Sequence, residues 1–272
     1  MTGDQTGEQT GDQSSDDGAD GTPRPEELVH YGVAERVATL TLDSPHNRNA
    51  LSSRLVQELQ DGLARAEGDD DVRVVVIRAT GRTFCSGADL SEATSGGMEQ
   101  TARGMVDLQR RIVEHPKPVV VRAHGNVRAG GIGIVAAADI AVSADDASYA
   151  LTEVRLGLAA AAISLTVLPR LTDRAASWAF LTGDVFDGRD AERMGLVTTA
   201  VPEEDLDLEV DEICASLAKG SPQGLREAKR LLARPLLERI DAQADDMAAL
   251  SARLFGSDEA RERMLAFLHR KG

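Results

Sequence analysis

Two glycine-rich stretches and one glutamate contain the residues of this chain whose types and spacing suit chemistry. Residues 128–140 read RAGGIGIVAAADI, and between Arg128 and Asp139 no side chain can act as a base, a nucleophile or a metal ligand. What the segment offers is backbone. Glycine lacks a Cβ and lets a ligand approach main-chain N–H groups, and the first N–H groups of a helix are unpaired and slightly positive. Such a site handles negative charge, either a bound phosphate or an oxygen that becomes anionic during reaction. Residues 81–90, GRTFCSGADL, repeat the arrangement, with Gly87 leading to an N–H at Ala88. Two such donors on one carbonyl oxygen form an oxyanion hole, in which each donor is worth about 3 kcal/mol to a charged intermediate.

The elements that must position these bends follow from periodicity. RVATLTLD (36–43), VRVVVIRAT (72–80), PKPVVVRAHG (116–125) and ADIAVSA (138–144) are short, β-branched and largely apolar, as strands buried on both faces are. After the first of them, Ser52 or Ser53 caps a helix in which Leu55, Val56, Leu59 and Leu63 recur at helical spacing. Beyond Leu151 the pattern is helical apart from GLVTTAVP (195–202). It runs through RLTDRAASWAFLTG, LDLEVDEICASLAKG and PQGLREAKRLL to a long amphipathic run ending MLAFLHRKG. The reading is a mixed α/β core followed by a helical C-terminal part. Residues 1–27 repeat a TG(D/E)Q unit and have too little apolar area to offset ordering entropy, so they read as a disordered acidic tail.

Composition bounds the partners. Of 272 residues, 42% are hydrophobic and 28% charged, which fits a soluble globular protein with a core of Ala, Val, Leu and Ile, aromatics being only 3%. The tail holds eight acidic residues against Arg24, which is −7 of the net charge of −15 and leaves −8 for the remainder. That balance speaks against nucleic acid or an anionic membrane as partner. Cys85 and Cys214 lie far apart and the five histidines are scattered, so neither a disulfide framework nor a metal site is read. No apolar run is long enough to span a bilayer and no targeting segment is recognisable, which makes a cytoplasmic, reducing setting the expectation.

FCSGADL, RAGGIG, LTEVRLGL (151–158) and LTGDVFDGRDAERMGLVTTAVP (181–202), in this order and at this spacing, resemble the crotonase superfamily, the enoyl-CoA hydratase/isomerase enzymes. The resemblance covers about Leu28 to Lys271. It implies an α/β spiral of ββα units over residues 28–200 and a C-terminal helical region, 201–272, used in trimerisation, often within a dimer of trimers. It further implies an acyl-CoA thioester of fatty-acid metabolism as substrate, with coenzyme A as part of that substrate and no separate cofactor. Carried over by position, the oxyanion donors are Ala88 and Gly130. The family's two catalytic glutamates fall at Gly133, where the carboxylate is missing, and at Glu153, where it is kept. In lacking the first glutamate the chain is similar to some bacterial hydratases of the family, including the methylglutaconyl-CoA type. Residues near the CoA phosphates correspond to His46, Arg48 and Arg82, and a neighbouring subunit's C-terminal helix would add Phe267 and Arg270. Residues 91–105 are expected to line the acyl pocket.

The resemblance implies an enoyl-CoA hydratase first. A single carboxylate also suffices for double-bond migration, which leaves an isomerase open, as is a binder that kept the hole without turnover. Gly131-Ile-Gly133-Ile-Val-Ala136 also fits a dinucleotide-binding turn, but HGNVRA separates it from the preceding strand and the required βαβ unit is not clear. Cys85 is expected to be a buried apolar residue, His124 to be structural, Asp89 to be a helix cap, and Trp178 to belong to the core or an interface.

Overall fold

The computed structural model describes residues 27–89, 92 and 98–269. The tail to residue 26, most of residues 90–97, and Arg270 lie outside the described residues.

Strands β1 (Val29–Ala34) and β2 (Val37–Leu42) form an antiparallel hairpin. Its two-residue loop is Glu35 and Arg36, with φ of 47° and 69°. Asn-Gly is the usual solution where both central residues need positive φ. Glu-Arg gives no such signal, and β1 is absent from the sequence reading. Helix α1 (Ser53–Gly68) follows, capped by Ser52, whose Oγ accepts from Leu55 N at 3.2 Å. Its buried face is Leu55, Leu59, Leu63 and Ala66, the expected apolar spacing.

Three turns of one pattern come next. The first is β3 (Val74–Ala79), β4 (Thr83–Cys85) and α2 (Met98–Glu114). The second is β5 (Val119–Ala123), β6 (Asn126–Arg128) and α3 (Gly130–Ala137). The third is β7 (Ile140–Ala144), β8 (Ser148–Ala150), a 3-10 turn (Thr152–Leu156) and α4 (Ala161–Val167). In each turn the longer strand enters a six-stranded sheet of order β1-β2-β3-β5-β7-β9, completed by β9 (Thr199–Val201), and the short strand enters a separate sheet of order β4-β6-β8. From β2 onward the pairings between these strands are parallel. This is the ββα spiral that the resemblance implied. The three short strands, of three residues each, carry no periodicity of their own and were not read from sequence.

The C-terminal part is α5 (Asp173–Thr182), α6 (Gly188–Met194), β9 (Thr199–Val201), α7 (Leu206–Leu217), α8 (Pro222–Phe255) and α9 (Asp258–His269). PQGLREAKRLL and the run after it are one helix of 34 residues that passes through Pro235. The break falls instead at Gly256 and Ser257. Lys229 of α8 is buried, its Nζ 2.7 Å from Asp139 and donating to the carbonyls of Ile112 and Lys117, so α8 is tied to the ends of α2, α3 and β5. Among the described residues no helix is long and apolar enough to cross a membrane, and no group of three His, Cys, Asp or Glu side chains is placed to hold a metal.

Candidate active site

The short parallel sheet builds the site. Cys85 of β4 pairs with Val127 of β6, and Val127 with Tyr149 of β8. Ala88 and Gly130 each lie three residues beyond this register, and Glu153 four, so all three leave the same C-terminal sheet edge. That edge is where parallel α/β sheets place their ligands.

Two close approaches lock the first two bends together. Gly87 has φ of +94°, and a Cβ built on it would lie 2.7 Å from Ala129 Cβ. A Cβ on Gly130 would lie 2.6 Å from Leu51 Cδ1. Leu51 in turn forms a parallel bridge with Ala88. The bonds of that bridge run from Leu51 N to Gly87 O (2.8 Å) and from Asp89 N to Leu51 O (3.3 Å). The N–H of Ala88 takes no part in them. At the start of α3, Ile132 N and Gly133 N donate to Ala129 O, so the N–H groups of Gly130 and Gly131 precede the first helical bonds. Gly131 serves packing: its Cβ would lie 2.7 Å from Cys85 Cβ.

Ala88, Gly130 and Glu153 line one cavity of about 500 Å3. Leu51, Val56, Met105, Ile163 and Phe255 give it apolar walls, and Ala159–Ala162 leave it wide. Residues 100–105, within the stretch expected there, contribute to the wall. The Glu153 residue is half-buried, but its Oε2 is fully buried and, among the described residues, has no hydrogen-bond partner. Burial without a counter-charge pushes its carboxyl up from 4.5 to about 7. Near neutrality it is therefore present in both protonation states.

Where the first glutamate of the family would stand, the space is occupied. A Cβ on Gly133 would lie 2.7 Å from Ile163 Cγ2 and 3.3 Å from Gln109 Oε1. Gln109 is buried; it accepts from Thr166 Oγ1 (2.5 Å) and donates to the carbonyls of Met105 and Ala162. Gly133, Gln109 and Thr166 join α2, α3 and α4 outside the cavity wall, whereas Ile163 also lines the cavity.

His46, Arg48 and Arg82 are exposed, and none of the three lines the cavity. Arg48 O accepts from Ser86 N at 3.1 Å, so the turn carrying His46 and Arg48 flanks the approach to Ala88. Phe267 falls in the last turn of α9. Helix α9 packs on its own chain's Glu153 turn, where a Cβ on Gly157 would lie 3.4 Å from Ala260 Cα. Cys85 is fully buried and burial pushes its thiol up to about 12, in line with an apolar role. His124 is also buried: Arg122 Nη1 donates to its Nδ1 and its Nε2–H donates to Gly81 O, which fixes a neutral tautomer in a structural place. Trp178 is 38% exposed and edge-on to Phe186. Sequence reasoning missed Leu51, Ser251 and Phe255 of the wall; the last two share one face of α8 at i and i+4.

The fold is shared with solved structures, which places the chain in the crotonase class. It is 50% identical to an enoyl-CoA hydratase from Mycobacterium avium, with a TM-score of 0.85 over 90% of this chain and 98% of that one. It is 29% identical to an enoyl-CoA hydratase from Mycobacterium smegmatis, with a TM-score of 0.75 over 90% and 97%. A Bacillus subtilis (strain 168) protein named "Probable enoyl-CoA hydratase" is 32% identical over 250 residues, covering 89% of this chain and 96% of that one. The family profile described as enoyl-CoA hydratase/isomerase matches residues 32–272. The chain belongs to the enoyl-CoA hydratase/isomerase family.

Proposed function

We propose that the chain is an enoyl-CoA hydratase, a lyase that adds water across the double bond of an enoyl-CoA thioester. The observation that carries this reading is the meeting of Ala88, Gly130 and the Glu153 carboxyl, whose Oε2 has no partner among the described residues, on one cavity. In the proposed reaction the thioester oxygen accepts from the N–H groups of Ala88 and Gly130. That polarises the enoyl group and makes its β-carbon electrophilic. Water oxygen bonds to the β-carbon, protonated Glu153 gives its proton to the α-carbon, and the proton lost by water returns to Glu153. One water is consumed and the glutamate is regenerated. His46, Arg48 and Arg82 would hold the CoA phosphates, joined by Phe267 and Arg270 of a neighbouring subunit in a homotrimer or dimer of trimers.

A second reading has support in the crowding behind Gly133. With one carboxylate, proton removal and return along an allylic system gives an isomerase. A panel of 2-enoyl-CoA and 3-enoyl-CoA thioesters of varied length and branching separates the two. Formation of 3-hydroxyacyl-CoA from 2-enoyl-CoA is the expected result. Conversion of 3-enoyl-CoA to 2-enoyl-CoA without hydration would make it an isomerase, and binding without turnover on the whole panel a non-catalytic binder.

A further inference from the structure

The proposed hydration needs the attacking water to be held over the β-carbon, and Gly133 supplies no carboxylate to hold it. The space beside it is taken as well: Ile163 Cγ2 lies 2.7 Å from where the first side-chain carbon would be. Another polar group must face the cavity from a different element. The end of α8 supplies one. Met247, Ser251 and Phe255 recur at i, i+4 and i+8 on one helix face. Met247 Sδ accepts from Ser164 Oγ of α4 at 3.7 Å, which seats this face against the cavity's alanine wall. Ser251 and Phe255 line the cavity itself.

Ser251 is 7% exposed, and among the described residues its hydroxyl makes no hydrogen bond. Its Oγ is not sealed off by the fold, so water can reach it from the cavity and fill the hydrogen bonds that the protein leaves open. Several other polar side chains of the wall are engaged away from the cavity. Ser53 donates to Glu92, Gln57 to Asp61, and Arg103 to Asp245. Among the described residues, Ser251 is the one buried polar residue of the wall, Glu153 being half-buried.

We propose that Ser251 is a positioning residue of the hydration step, its hydroxyl holding the water that adds to the β-carbon. This rests on the hydratase reading above. Ser251 Oγ accepts a hydrogen bond from one water hydrogen and directs the water's lone pair at the β-carbon. As the C–O bond forms, the other hydrogen passes to Glu153, which in the same step gives its own proton to the α-carbon, and the serine is neither consumed nor ionised. The missing carboxylate of the spiral is thus replaced by a hydroxyl from the C-terminal helix.

The test separates steps that need water from steps that do not. Ser251→Ala and the wild type are assayed for hydration of crotonyl-CoA and a branched 2-enoyl-CoA, and for α-proton exchange of butyryl-CoA in D2O. Exchange needs only the oxyanion donors and Glu153. The expected result is a fall of about tenfold in hydration kcat, with KM and the exchange rate within twofold of wild type. Unchanged hydration overturns the proposal. So does a parallel fall of hydration and exchange, which would mark a structural effect. A wild type that exchanges but does not hydrate also overturns it while leaving the role of Glu153 standing, whereas a wild type that does neither removes both.

Discussion

Gly87 and Ala129 sit so close that a Cβ built on the glycine would lie 2.7 Å from the Cβ of the alanine. Each immediately precedes a candidate oxyanion donor, Ala88 and Gly130. The contact therefore sets the separation of two N–H groups from bends 42 positions apart in sequence. Its origin is the register of β4 with β6, where Cys85 pairs with Val127 and carries the two following bends to the same edge.

Gly87→Ala tests that contact. Its φ of +94° is strained for any L side chain, and the added methyl has no room against Ala129. A loss of at least ~2 kcal/mol is expected, read as a Tm lower by roughly 4–8 °C, together with a fall in kcat as the donors are pushed apart. Unchanged Tm and turnover would show that the two bends are not mutually fixed.

Ala129→Gly acts in the opposite direction. Ala129 adopts φ 45° and ψ −116°, a conformation that strains an alanine by about 1–3 kcal/mol and that glycine adopts freely. Glycine returns part of that gain through the greater entropy of the unfolded chain. A net stabilisation of about 1 kcal/mol is expected in denaturant unfolding, and a destabilised variant would mean that the Ala129 methyl contributes more by packing than it loses by strain.

Glu153→Gln is expected to lower turnover by about 10²–10⁴ while leaving CoA-thioester binding intact. Its stability profile gives a second readout. The carboxyl titrates at about 7 in the folded chain against an ordinary 4.5, so between those values the folded state binds a proton that the unfolded state has lost. Wild-type stability therefore declines, relative to the glutamine variant, as pH rises from about 4.5 to about 7, and is level above that. The total is about 3 kcal/mol. Because the acid form supplies the α-proton, hydration kcat should also fall as pH rises past about 7. Parallel stability curves for the two proteins would contradict a buried carboxyl.

Gly133→Glu is expected to destabilise by about 1–3 kcal/mol rather than to raise hydration. The new side chain would begin 2.7 Å from the β-branched Ile163 and beside the Gln109–Thr166 pair. Thermal unfolding and a hydration assay together check this; a faster, equally stable variant would show that Ile163 yields.

Four motifs in one order were enough to indicate the family, the spiral, the two bends and Glu153, because each is a local feature: a glycine where backbone must be bare, a glutamate at the end of a strand. The main strands and the cap at Ser52 were also legible, from β-branched runs and a serine before helical spacing. The second sheet was not. Strands of three residues have no period to detect, and only pairing with partners dozens of residues away makes β4, β6 and β8 strands at all. The hairpin at Glu35 and Arg36 was hidden because tertiary pairing holds those residues at positive φ without glycine or asparagine. Tertiary structure alone decided that Gly133 faces Ile163, that α8 runs through Pro235 and brings Ser251 to the cavity, and that Glu153 Oε2 is cut off from solvent. Each depends on which distant side chain fills a given space, and close packing settles that only when all the elements are in place.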